Sequence, residues 1–388
     1  MTKLNIKMET QYNFDDIRPF YDSEINAELR ELSKEPELVG LLRKLFPYRS
    51  TENLVTLLGN FHSVVEFQSR IIRVLVRGLK KMTTKGVSMS GMENIEGSRN
   101  RLFISNHRDI ILDSVFLNVM LLDKWRNTCE IAIGDNLFVR PWLEKMARVN
   151  KNVVVRRNVP VRQMLEISSK LSAYIRYTIT EKKSSIWIAQ REGRAKDSDD
   201  RTQDSLLKMF NISGNSSIVE NMKELNITPV TISYEYDPCD YLKAKEFQQK
   251  RDNPEYKKTS QDDALNMITG LQGWKGRVHY YVSNIDEEIA AIGNGTKNEQ
   301  FRALAELIDK HIHKNYKIYP VNMIALDLLK ENNAFSAQYT VEEKVKFEGY
   351  LQKQLDKIEL ENKDVSFLRK KMLEMYANPF INYLEANK

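Results

Sequence analysis

Only two cysteines, Cys129 and Cys239, occur in 388 residues. Two thiols cannot cross-link a chain of this size, and they lack the spacing of a metal-binding pair, so the sequence indicates a reducing compartment, the cytoplasm. No segment approaches the roughly 18 uncharged apolar residues that a spanning helix needs. The start, MTKLNIKMETQYNFDD, has no apolar stretch of the kind a secretory leader carries. Glycine and proline are scarce as well, 15 and 10 residues, which excludes a collagen-like repeat. With 41% hydrophobic and 29% charged residues the chain is too apolar for disorder, and its length calls for one large domain with additions, or two domains.

The net charge of +6 hides an uneven distribution. Between Arg43 and Lys85 nine Lys/Arg face two Glu, and between Arg140 and Arg162 seven face one, so two stretches carry +7 and +6 and the remainder is −7. Such stretches suit an anionic partner. In Thr51–Lys81, Leu54, Leu57, Leu58, Phe61, Val64, Val65, Ile71, Ile72, Leu75 and Leu79 recur at steps of three and four, while Arg70, Arg73, Arg77, Lys80 and Lys81 occupy another face. That pattern predicts an amphipathic helix which either packs on the protein with a solvated basic face or lies on an anionic membrane surface.

From about Ser98 to Ile289, short β-rich runs alternate with helical ones, which predicts an α/β fold with a largely parallel sheet flanked by helices. The expected strands are Arg101–Ser105, Glu130–Ile133, Val153–Val155, Ser185–Ala189, Ile227–Tyr234 and Arg277–Ser283. Expected helices include Asp113–Lys124, Pro141–Arg148, Pro160–Glu181 and Ile218–Leu225. Residues 1–95 read as an N-terminal helical region, 96–297 as the core and 298–388 as a C-terminal helical region ending in Val365–Glu385. Lys243–Asp263, rich in Lys, Gln and Asp, reads as a surface excursion.

In Phe103–Ser114 an apolar run ends in Asn106-His107-Arg108-Asp109 and then opens an apolar helix near Asp113. Ligands of open α/β sheets gather at the carboxyl ends of strands, where this places His107. A neutral imidazole accepts a proton from an attacking hydroxyl, and a carboxylate on its other nitrogen fixes the tautomer, so His107 is a candidate general base. Asp113 is the first choice for the carboxylate and Asp109 the second, the other use of Asp109 being a helix cap. His279, His311 and His313 have no carboxylates at ligand spacing, and no metal is expected.

The segment resembles the first block of the glycerolipid acyltransferase superfamily, which includes glycerol-3-phosphate and lysophosphatidic acid acyltransferases and carries a His-x4-Asp motif. Gly134-Asp135-Asn136-Leu137-Phe138-Val139-Arg140 is similar to its second block, Ile188-Ala189-Gln190-Arg191-Glu192-Gly193-Arg194 to its third, and Thr228-Pro229-Val230-Thr231-Ile232-Ser233-Tyr234-Glu235 to its fourth. Each block is weak alone; four in order are a strong signal. Two departures stand out: the spacing here is His-x5-Asp, and Arg194 follows Glu192-Gly193 directly where the family has one residue between.

The resemblance implies direct transfer of a fatty-acyl chain from an acyl thioester, on CoA or acyl-carrier protein, to a hydroxyl of a glycerol-phosphate or lysophospholipid acceptor. No other cofactor is implied. It assigns acceptor phosphate to Arg140 and Arg194, with Glu192 and Gly193 shaping the same turn, a task that suits guanidinium groups. Pro229 would shape the site. Arg156, Arg157, Lys196 and Arg201 are candidates for the anionic part of the donor, and Met120, Leu121, Trp142, Leu143 and Met146 for an acyl groove. The expected setting is the cytoplasmic face of an anionic membrane, with peripheral contact. Alternatives are acyl transfer to an amino-acid lipid precursor, an ester hydrolase using His107 on water, and a noncatalytic protein that binds an anionic ligand. Nucleic acid is not expected, because the aromatics do not interleave with the basic face.

Overall fold

A computed structural model describes residues 12–46, 48–95, 97, 99–124, 127–157 and 159–388. The start of the chain at residues 1–11 and the boundary at Ser98 lie outside them. Seven strands form one sheet: β1 (Gly86–Ser90), β2 (Leu102–Ser105), β3 (Glu130–Gly134), β4 (Asn152–Val155), β5 (Ile186–Ala189), β6 (Ile227–Tyr234) and β7 (Arg277–Val282). Their order is β1-β7-β6-β2-β5-β3-β4. All neighbours are parallel except β6 and β7, so the expected α/β fold with a largely parallel sheet is the observed one.

The central strands β2 and β6 are buried along their whole length, covered on both faces, and in β6 this buries Thr228, Thr231 and Ser233 along with the apolar residues. One face is covered by the helices Val161–Thr180, Asp204–Ile212, Ile218–Glu224 and Lys297–Lys314, which pack Leu171, Ile175, Phe210, Leu304 and Ile308 against the strands. The other face receives Leu112–Asp123 and Arg73–Thr83, with Phe116, Leu117 and Val76. An N-terminal helical cluster is built around Ile25, Leu29, Leu54, Leu58 and Phe67, and a C-terminal one around Ile324, Phe347, Leu351, Met372 and Phe380.

Three local expectations change. Residues 86–90, read within the helical N-terminus, form the edge strand β1, which pairs Gly86 with Arg277 and continues alongside β7. The segment Thr51–Lys81 is not one helix. It breaks at residues 59–63 and runs as Thr51–Leu58, Val64–Phe67, a π-helical turn Gln68–Ile72 and Arg73–Thr83. Part of its basic face meets protein: Arg77 lies 2.7 Å and Arg73 3.7 Å from Asp123. Lys243–Asp263 is not a surface excursion either. Its first half belongs to the helix Asp240–Asp252, which buries Lys243, Ala244, Glu246 and Gln248 against the C-terminal cluster. The Lys, Gln and Asp content that suggested a surface excursion is partly used inward: Lys243 pairs with Asp237 in the interior, and Glu246 pairs with the half-buried Lys196.

Candidate active site

His107 lies two residues beyond Ser105, the end of β2, and the side chain of Asn106 between them extends the sheet by one more rung. The Asn106 amide donates to the Ile232 carbonyl at 2.8 Å and accepts from the Ile232 amide at 2.8 Å, which pins the turn to β6. The chain then turns into the helix Leu112–Asp123, and Asp113, fully buried in its first turn, faces back. Its Oδ2 lies 2.9 Å from His107 Nδ1 and accepts from the amides of Arg108 at 2.6 Å and Asp109 at 3.0 Å. The Tyr280 hydroxyl of β7 donates to the Asp113 carbonyl at 2.8 Å. With Nδ1–H on the carboxylate, Nε2 is the nitrogen left for a substrate. Trp187 of β5 packs edge-on to the imidazole with ring centroids 5.8 Å apart.

Asp109 does not reach His107. Its Oδ1 accepts from the amides of Ile111 at 2.9 Å and Leu112 at 2.7 Å, so it caps the helix start. Burial and the neighbouring Asp113 charge push its carboxyl above the usual range, while those two amides oppose the shift.

Behind the turn, the Arg108 guanidinium is ion-paired with Asp200, and the Tyr316 hydroxyl donates to the same carboxylate at 2.7 Å. The Nε2 of His313 bonds to the Asp200 carbonyl at 2.7 Å. Burial disfavours the Arg108 charge, but Asp200 and its neighbours hold the guanidinium protonated. The turn carrying His107, the loop after β5 and the helix Lys297–Lys314 therefore meet in one buried cluster.

His107 opens into a cavity of about 860 Å³ that spans the carboxyl ends of β3, β4 and β5 and enters both faces of the sheet. Its walls are largely apolar: Ile111, Val115, Ile131 and Met146 on one face, Leu171 and Met209 on the other. Arg157, Arg191, Arg194 and Lys196 line it near the turn after β5. Arg194 is held by Asn266, whose Oδ1 accepts from its Nη2 at 2.8 Å, while its buried Nη1 finds no hydrogen-bond acceptor among the described residues. Burial works against the Arg194 charge, and Cys239, Asp237 and Asp109 more than offset this.

Gly193 adopts φ +67°, a left-handed turn that a side chain would strain. Glu192 beside it is largely exposed, 3.7 Å from Arg157. Gly134 has a different reason to be glycine: a Cβ there would sit 2.6 Å from the Arg157 guanidinium. Arg140, the arginine chosen from this block, does not line the cavity. Its side chain is 61% exposed and lies 3.5 Å from Glu37, because the helix Pro141–Val149 begins right after it and carries it to the rim. Arg157, from the turn after β4, stands in the cavity instead; its place depends on packing across two strand ends, and only the Arg156-Arg157 pair hinted at it.

Of the groove candidates, Leu143 and Met146 line the cavity and Met120, Leu121 and Trp142 do not. Arg156, Arg157 and Lys196 line it, whereas Arg201 pairs with Asp199 at 3.0 Å elsewhere. Pro229 lies in register with Ile104 inside the sheet. Both cysteines are buried, and burial raises each thiol to about 12, so neither offers a thiolate nucleophile. His279 sits between Ser88 and Ser90 on the sheet edge, and His311 faces Glu288 at 3.2 Å. Among the described residues no group of three His, Cys, Asp or Glu is placed to hold a metal ion, and no helix is long and apolar enough to cross a membrane.

Comparison with known proteins gives a match of residues 86–234 to the family model described as Acyltransferase. Among solved structures, the chain is similar to the crystal structure of the 1-acyl-sn-glycerophosphate (LPA) acyltransferase from Thermotoga maritima, with 15% identity and a TM-score of 0.35, covering 76% of this chain and 99% of that one. No curated protein matches.

Proposed function

We propose, from the match of residues 86–234 to the acyltransferase family model, that the protein transfers a fatty-acyl chain from an acyl thioester to a hydroxyl of a glycerol-phosphate or lysophospholipid acceptor, with His107 as general base. The observation that carries this reading is the 2.9 Å contact of His107 Nδ1 with the buried Asp113 carboxylate at the head of a long apolar cavity with cations beside it.

His107 Nε2 takes the proton of the acceptor hydroxyl as its oxygen attacks the thioester carbonyl, forming the C–O bond. Asp113 holds the tautomer and stabilises the imidazolium. Collapse of the tetrahedral intermediate breaks the C–S bond, and the proton returns from His107 to the leaving sulfur, which departs as the free thiol of CoA or a carrier protein. Arg194, with one nitrogen unpaired and buried, and Arg157 supply the charge for acceptor phosphate. The apolar walls take the acyl chain.

We further propose that the enzyme works in contact with an anionic bilayer on the cytoplasmic side. Val161, Met164 and Leu165 are exposed where the helix Val161–Thr180 borders the cavity, and Arg70, Arg77 and Lys81 are exposed on the N-terminal helices. Sedimentation with liposomes of neutral and of anionic lipid tests this contact; equal recovery in the supernatant with both would refute it.

The deciding experiment incubates the protein with labelled acyl thioesters and a panel of acceptors: glycerol-3-phosphate, lysophosphatidic acid, an amino-acid lipid precursor and water alone. Acylated phosphate acceptor is the expected product, absent with His107→Ala. Thioester or ester cleavage without dependence on acceptor would make the protein a hydrolase.

A further inference from the structure

The helix Ser260–Gln272 lies outside the segment matched by the acyltransferase family, yet it meets the site at two separate points. Asp263, Asn266 and Gly270 follow one another at steps of three and four and so share one helix face. Asp263 and Asn266 line the cavity, and Asn266 and Gly270 are buried.

Asn266 has its amide fixed at both ends. Its Oδ1 accepts from Arg194 Nη2 at 2.8 Å, and its Nδ2 donates to the Asp262 carbonyl at 2.8 Å. A guanidinium only donates and a carbonyl only accepts, so the amide fits in this orientation alone. The Asn266 carbonyl also accepts from the Cys239 thiol at 3.3 Å, which ties the residue to the start of the helix Asp240–Asp252. Four residues on, about 6 Å along the axis, Gly270 rests on the turn that carries His107: a Cβ there would collide with Asp109 Oδ2. Buried Lys275 holds the end of the helix, donating to the carbonyls of Gly273 at 2.6 Å and Leu271 at 3.4 Å. One rigid element thus touches both Arg194 and the His107 turn. The buried Nη1 of Arg194 has no acceptor among the described residues, so Asn266 occupies one arm of the guanidinium fork and leaves the other open.

We propose that Asn266 is a positioning residue for the acceptor phosphate: it orients the Arg194 fork so that Nη1 meets the phosphate, and its helix, seated on Asp109, holds that arginine at a set distance from His107. The proposal rests on the acyl-transfer reading for the identity of the acceptor, and on these contacts for the location. The insertion between β6 and β7 thereby completes a phosphate grip that the family segment only begins.

The test compares each phosphate acceptor with its phosphate-free counterpart, lysophosphatidic acid with monoacylglycerol and glycerol-3-phosphate with glycerol, at saturating acyl thioester. Asn266→Ala is expected to raise KM for the phosphate acceptor about tenfold, with kcat and the donor KM unchanged and no effect on the phosphate-free acceptor. Arg194→Ala should raise the same KM, and adding Asn266→Ala to it should cost nothing more, because Asn266 acts through the guanidinium. Ile268→Ala, exposed on the same helix and outside the cavity, should keep the wild-type KM. Equal losses on both kinds of acceptor would make Asn266 structural only and overturn the proposal. Additive losses in the double variant, or an unchanged KM in Asn266→Ala, overturn it too. Should Asn266→Ala not fold, Asn266→Leu, closer in size, is judged by the same outcomes. If the wild-type protein transfers no acyl chain, the functional reading fails separately, and calorimetric titration with inorganic phosphate decides the site. Binding weakened about tenfold in the Asn266 variant supports the proposal; equal binding, or none by the wild type, refutes it.

Discussion

A carboxylate that accepts two backbone amides and an imidazole through one oxygen has little freedom to turn, and Asp113 is in that position. Replacement by Asn keeps the shape and removes the charge that the imidazolium needs, so Asp113→Asn should lower kcat by roughly 10²–10⁴, with acceptor KM little changed. Asp109→Asn should behave differently. Its Oδ1 serves only the amides of Ile111 and Leu112, an amide oxygen can accept both, and the substitution removes a like charge from beside Asp113. Activity within a few-fold of wild type is expected, whereas Asp109→Ala should cost about 0.5–2 kcal/mol in urea unfolding through the lost cap. A loss in Asp109→Asn as large as in Asp113→Asn would contradict this division of roles. The His107–Asp113 pairing was legible in the sequence because strand end, turn and helix start are contiguous. Arg157 was legible only as one of four cations for the anionic part of the donor, because nothing in local spacing says that its guanidinium fills the space left by Gly134.

Elements come together behind the turn through charges rather than through apolar contacts. Arg108 on the β2 tip, Asp200 after β5 and Tyr316 after the helix Lys297–Lys314 are all buried, and removing one partner strands the other. Arg108→Met and Asp200→Leu should each cost about 3–5 kcal/mol, and the double variant should cost clearly less than their sum, because it leaves no unpaired charge. Urea unfolding of the four proteins of the cycle measures this; additive costs would mean that the ion pair is not the connection. At this scale the buried central strands were readable and the edge was not. β1 has the sequence Gly-Val-Ser-Met-Ser, weak in strand formers, and gains its conformation from pairing along β7, where Ser88 and Ser90 flank His279. The break in Thr51–Lys81 was hidden for the opposite reason: apolar periodicity continues through a π turn that only tertiary anchoring by Gln68 explains.

For the molecule as a whole, the C-terminal cluster is joined to the cavity wall through the helix Asp240–Asp252. Asp240 is fully buried at its first residue, and accepts from Tyr350 at 2.8 Å, Tyr376 at 2.7 Å and Gln354 at 2.5 Å. Burial, then the nearby Asp237 charge, raise its carboxyl to about 6, with those hydrogen bonds opposing. Since this value lies above the unfolded 3.8, the native state holds more protons than the unfolded one between the two. Stability should therefore fall as pH rises from about 4 to about 6 and then level off, as far as this group is concerned. Asp240→Asn lacks the titration, so relative to wild type it should gain up to roughly 3 kcal/mol on going from pH 4 to pH 7. Unfolding midpoints at both pH values check this, and a constant difference would discard it. The core also extends past residue 297. Phe301, Leu304, Ile308 and Ile312 pack on the sheet, and the Thr231 hydroxyl of β6 donates to the Ile312 carbonyl at 3.0 Å. A chain ended at residue 296 should show no cooperative unfolding transition in calorimetry.

Strands β6 and β7 run antiparallel side by side, so a turn of a few residues would join them. The chain uses residues 235–276 instead, and the helix Ser260–Gln272 in that insertion contributes Asp263, Asn266 and Met267 to the cavity wall. The sheet does not need this insertion to close. Strand pairing thus places no demand on the cavity-facing Met267 of that helix, whereas the helix Asp240–Asp252 of the same insertion is tied down through Asp240 and Lys243, so the cavity wall can be rebuilt at Met267 without unpairing β6 and β7.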